Sequence, residues 1–83
     1  MKHNEIWNAV NAMYRVNKAN NPGFPDHVCG KVSMVAQPVG KLTEIAVEMK
    51  YNSQHEDAVY NKMLEDNAID TIVAAIRLLE NLK

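Results

Sequence analysis

Apolar side chains at Val28, Val32, Val35, Val39, Leu42, Ala46 and Met49 step by four and three residues in strict alternation. That spacing lines one face of an α-helix. Asp26, directly after Pro25, is placed to cap its start, and the run ends near Tyr51 and Asn52. Ser53 and Glu56, in the string SQHE, form a capping-box signature for a further helix. This last helix carries Leu64, Ala68, Thr71, Ala75, Leu78 and Leu82 on one face. A second stripe of Ile69, Ile72, Ile76 and Leu79 runs beside it. Ile6, Val10 and Met13 predict a shorter amphipathic helix over residues 4–19, and the turn-rich joint NNPGFPD (Asn20–Asp26) follows. The pattern predicts an all-α fold with a short N-terminal helix and two long antiparallel helices.

A helix apolar over more than half its circumference is buried on two sides. One antiparallel neighbour covers one stripe of the last helix. The other stripe is left for the first helix or for another subunit, with Ile72 and Ile76 as the expected intersubunit contact. Eighty-three residues make one domain, 1–83, near the lower limit for a self-sufficient core. Small chains often meet that shortage by oligomerising, so a homodimer or larger helical assembly is expected.

Pro38 lies inside the second helix's stripe. An interior proline removes a backbone hydrogen bond and clashes with the carbonyl four residues back, at about 3 kcal/mol. Gly40 follows and adds backbone freedom, so a kink or short break is expected at Gln37–Gly40.

Composition narrows the class. A hydrophobic share of 47% with three Gly and three Pro argues against disorder and against a turn-rich β fold. A net charge of −1 exerts no global pull on nucleic acid or anionic membrane, and the nine basic residues do not cluster. Cys29 is the lone cysteine, which excludes an internal disulfide and favours a reducing compartment. It reads as a small buried apolar residue rather than a nucleophile. No apolar run reaches the ~20 residues of a bilayer span, and MKHNEIWN lacks a signal-peptide core. A cytoplasmic protein without membrane contact is expected. His27 reads as a surface residue, and Trp7 and Tyr14, on one face of the first helix, as core or interface residues.

Two segments carry a family resemblance: VSMVAQPVGKLTEIAVEMK (Val32–Lys50) and YNKMLEDNAIDTIVAAIRLLENL (Tyr60–Leu82). They resemble the MazG-like all-α nucleotide pyrophosphohydrolases, especially the short versions encoded by bacteriophages. VGKLTE resembles the family's VGELAE turn, and IWNAVNAMYRVNKAN resembles its first helix. The resemblance implies a MazG-like helical bundle completed by oligomerisation. It also implies a Glu-x-x-Glu pair on one helix and a Glu-x-x-Asp pair on the next, holding magnesium against a nucleoside triphosphate. The matching positions here are Pro38, Lys41, Asn67 and Asp70, with one acid among four. Magnesium prefers a near-octahedral shell of oxygens and acts by neutralising phosphate charge and activating water. Pro38 offers no ligand, and Lys41 brings positive charge to where the metal's own would lie.

Two functional readings follow. In the first, the metal site is degenerate and the chain is a non-catalytic helical oligomer that binds a nucleotide or a host protein. Lys41 then holds phosphate as a point charge, assisted by Arg15, Lys18 or Arg77. In the second, the chain is an active magnesium-dependent (d)NTP pyrophosphohydrolase with a displaced carboxylate set. Glu44 and Glu48 on one helix face Asp66 and Asp70 on the next, and Asn67 adds an amide oxygen. Otherwise these acids are solvated or paired with Lys41, Lys50, Lys62 and Arg77. Pro38 is either a tolerated bend or the mark of a remodelled ligand turn. Family-like packing also implies a Lys41–Asp70 ion pair.

Overall fold

Three α-helices account for most of the 1–82 stretch that the computed structural model describes: α1 (His3–Asn20), α2 (Val28–Tyr51) and α3 (Asp57–Glu80). There is no strand among the described residues. α1 and α2 each pack on α3 and make no packing contact with each other. Lys31 meets Asn81 at one end of the α2–α3 pair and Gln54 meets Tyr60 at the other, so these two helices run antiparallel.

Val10, Ile69 and Val73 form the buried centre between α1 and α3, with Ile6, Tyr14, Ile72 and Ile76 packed around it. Ile69, Ile72 and Ile76 of the second stripe of α3 are therefore covered by α1, while Leu79 at its end stays 69% exposed. Ile72 and Ile76 lie in that contact rather than on an open face.

The α2 stripe behaves differently. Val28, Val32 and Val39 remain 55%, 51% and 44% exposed, while Lys31 and Ile45 are the buried residues of this helix. A strict seven-residue repeat drifts by about 20° per heptad on a straight helix. From Val28 to Met49 that drift carries the stripe from the outer face toward the α3 side. Val35, Leu42 and Met49 are accordingly half-buried. The face that meets α3 is the flank of the stripe, through Lys31, Pro38 and Ile45.

Local signals differ from expectation at both joints. His27, not Asp26, caps α2, its Nδ1 accepting from the Cys29 amide at 3.0 Å. Cys29 is exposed rather than buried, because two residues from Lys31 it lies on the side of α2 turned away from α3. The Ser53–Glu56 capping box does not form. Glu56 itself is the N-cap of α3 and makes no side-chain cap, while the Ser53 hydroxyl donates to the His55 carbonyl at 3.4 Å. Tyr60, fully buried, holds this joint instead by accepting from the Gln54 amide at 2.9 Å. At the first joint, a Cβ built on Gly30 would stand 2.7 Å from the Pro25 Cβ, so glycine is what lets the proline ring rest on α2.

α2 runs unbroken through Pro38, with no interruption at Gln37–Gly40. The proline leaves the Met34 carbonyl without its i+4 donor. Both residues border a cleft open to solvent, where water can satisfy that carbonyl. Lys31 is 9% exposed, yet its ammonium donates to the Asn81 carbonyl at 2.7 Å. A cation at the C-terminal end of α3 also meets the negative pole of that helix.

Candidate functional site

The cleft has a volume of about 460 Å³ and lies where the middle of α2, the second half of α3 and the α1–α2 joint converge. Its wall contains Pro38 and Lys41 from α2 and Asn67 and Asp70 from α3. The four positions singled out in the sequence by the MazG-like resemblance therefore share one cavity. Asn17 and Phe24 close it on the α1 side, and Arg77 forms its floor.

Arg77 is 5% exposed. Its Nη1 donates to Asn17 Oδ1 at 3.0 Å and to the Asn21 carbonyl, and the guanidinium lies 5.2 Å from the Phe24 ring centre. Its Nε is buried with no hydrogen-bond partner. An orphaned donor on a buried cation is costly unless a further acceptor reaches it. Sequence reasoning gave Arg77 only an assisting role. The signal for more was its place at i, i+4 and i+8 with Ile69 and Val73, where a cation continues a buried stripe.

Asp70 is the one carboxylate on the cleft wall. Partial desolvation, and then the neighbouring Asp66 charge, raise its pKa above the ordinary carboxylate value. Lys41 does not pair with it. The Lys41 ammonium turns to Glu44, three residues on, at a loose 3.9 Å, with both side chains well exposed. An i, i+3 partner on the same helix costs less side-chain ordering than a reach across the cleft. Asn67 spends its amide on its own helix, Nδ2 donating to the Met63 carbonyl at 2.8 Å.

The remaining predicted site residues scatter. Lys18 leans on Tyr14, donating to its hydroxyl at 3.3 Å, and neither Lys18 nor Arg15 borders the cleft. Glu44 and Glu48 border an adjoining groove at the end of α2, which shares Lys41 and Asn67 with the cleft. Asp66, one turn before Asp70 on α3, borders a different groove, against α1. There it takes a 2.8 Å hydrogen bond from Lys62, which with its charge raises the lysine's pKa. Among the described residues, no three acidic, histidine or cysteine side chains gather as a metal ion requires. The donors present in the cleft are one carboxylate, two cations and amides. That set does not fit magnesium, whose shell is built from oxygens and several carboxylates. It fits an anion. No described helix is long and apolar enough to cross a membrane.

Comparison with protein-family models, curated proteins and solved structures returned no significant match to this chain.

Proposed function

We propose that the chain is a MazG-like helical protein of the short, phage-encoded kind that binds a nucleotide through its phosphates without hydrolysing it, and that it works as a homo-oligomer. The observation that carries the reading is the meeting of Lys41 and the buried, partly unsatisfied Arg77 in one cleft, against a single carboxylate. A phosphate oxygen reaching Arg77 would supply the acceptor its Nε lacks, and charge-assisted bonds of this type are the stronger class. Lys41, exposed and only loosely tied to Glu44, is free to swing onto a second phosphate. Gln37 offers its amide for the sugar or base, Asn67 its carbonyl oxygen and Asn17 its amide nitrogen, and the volume lies within the ~300–1,000 Å³ usual for small-molecule sites. The resemblance at Val32–Lys50 and Tyr60–Leu82 supports the choice of nucleotide among phosphate ligands. Self-association is supported by the small core, for the buried apolar side chains among the described residues are Val10, Ile45, Tyr60, Ile69 and Val73.

The test is amide chemical-shift mapping by NMR with ATP, dATP and inorganic tripolyphosphate, in buffer containing a metal chelator. Shifts should concentrate at Asn17, Lys41, Asn67, Asp70 and Arg77, tripolyphosphate should compete, and Lys41→Glu should abolish binding. No shifts in the cleft with any of the three would overturn the nucleotide reading and leave a host protein as the partner to seek.

A further inference from the structure

We infer that the outer face of α2 is where two copies of this chain meet, packed stripe against stripe about Val39. The inference rests on the self-association reading and gives it a surface. From Val28 to Met49 the stripe completes three heptads in strict 4-3 alternation, and none of its positions carries a charge. A sustained 3.5-residue repeat is the mark of a helix that pairs with another helix of the same repeat, its apolar positions inserting between those of the partner. Within one chain the stripe is covered along one edge only, where Val35, Leu42 and Met49 are half-buried. α3 takes the flank through Lys31 and Ile45, α1 does not touch α2, and Val28, Val32 and Val39 stay about half exposed.

The occupant is argued from repeat and area. A second α2 carries the matching repeat by identity, and a two-fold contact covers both stripes at once. At roughly 50 Å² for each half-exposed valine, and less for the half-buried positions, the face offers on the order of 350 Å² of apolar area per copy. With the about 60% apolar share of interface cores, this corresponds to about 600 Å² per copy, or about 1,200 Å² for the pair. That is about the lower bound of stable specific interfaces. Lys41, two residues from Val39, lies on the far side of α2 from the seam, so the pairing leaves it open to the cleft.

The experiment is light scattering across a concentration series, on wild type, on Val32→Lys/Val39→Lys, and on Val59→Lys as an exposed valine of α3 outside the stripe. Wild type and Val59→Lys should reach twice the mass of one chain. The α2 double variant should stay at single mass with unchanged helical circular dichroism, its dimer weakened by about 100-fold or more. A wild type that keeps single mass at every concentration overturns both the seam and the self-association reading. A double variant that dimerises like wild type overturns the seam alone. If the double variant loses its helices while Val59→Lys keeps them, the wild-type thermal midpoint decides. A midpoint that rises with protein concentration supports the seam, and a concentration-independent one overturns it.

Discussion

Arg77 and Asn17 are joined by a 3.0 Å hydrogen bond across 60 residues of sequence, tying the last turn of α1 to the last turns of α3. The same guanidinium holds the Asn21 carbonyl just past the end of α1. Arg77→Ala would leave both acceptors unpaired and open a void beneath Phe24, so a loss of about 2–4 kcal/mol is expected. Arg77→Lys should recover only part of this, since an ammonium lacks the flat face that the guanidinium lays against the Phe24 ring. Urea unfolding checks this, and a lysine variant as stable as wild type would show that the guanidinium plane is not required.

Two glycines of α2 should respond with opposite sign. Alanine is the better helix former by about 1 kcal/mol, and Gly40 has nothing within 4 Å of a new Cβ. Gly40→Ala should stabilise by up to about 1 kcal/mol. Gly30→Ala drives its methyl into the Pro25 ring and should destabilise by about 1–3 kcal/mol despite the gain in propensity. Thermal melts of the two variants side by side suffice. A stabilised Gly30→Ala would mean that the first joint yields freely.

The Asp70 carboxyl titrates above its ordinary value because it is partly desolvated and near Asp66. The folded chain therefore holds that proton more tightly than the unfolded chain does. Stability associated with Asp70 is full below the unfolded value of about 4 and falls as pH rises through the raised value. Asp70→Asn should be the more stable protein at pH 7, by less than about 1 kcal/mol given the exposure of the group. The advantage should vanish near pH 3. The same variant should bind tripolyphosphate more tightly than wild type, by removing the one negative charge of the cleft. Weaker binding would point instead to a carboxylate that works with a cation.

Because Pro38, Lys41, Asn67 and Asp70 border one cavity, placing acids at three of them should create an oxygen nest there. Pro38→Glu/Lys41→Glu/Asn67→Glu is expected to bind magnesium measurably by calorimetry, while wild type shows none and releases no pyrophosphate from the common ribo- and deoxyribonucleoside triphosphates. Equal magnesium binding by the two proteins would contradict the reading of a degenerate site. So would wild-type turnover that is lost in Glu44→Ala.

The sequence made the helices legible because their apolar residues recur at helical spacing, and α1 ends within a residue or so of the expected bounds. Periodicity does not say which of two faces meets the neighbour. The stripe from Val28 to Met49 reads as core, yet the buried residues of α2 are Lys31 and Ile45 on its flank. Lys31 could be buried only because Asn81 presents a carbonyl to it from 50 residues away, a pairing no local pattern encodes. The cleft was legible through Pro38, Lys41, Asn67 and Asp70, but its floor was not. Arg77 looks like an ordinary C-terminal helix cation until Asn17, Asn21 and Phe24 are folded around it.

Since α1 touches α3 and never α2, the molecule can open in parts. The α2–α3 hairpin, joined by a short connection, is tied at both ends, Lys31 to Asn81 and Gln54 to Tyr60. α1 should swing away as one cooperative unit, exchanging its amide protons faster than those at the centre of α3. Each such opening withdraws Asn17 and Phe24 from the cleft and hands Arg77 back to water. Whatever occupies the cleft must then slow the exchange of α1, making the protection of a helix that bears no charged cleft residue a direct gauge of occupancy.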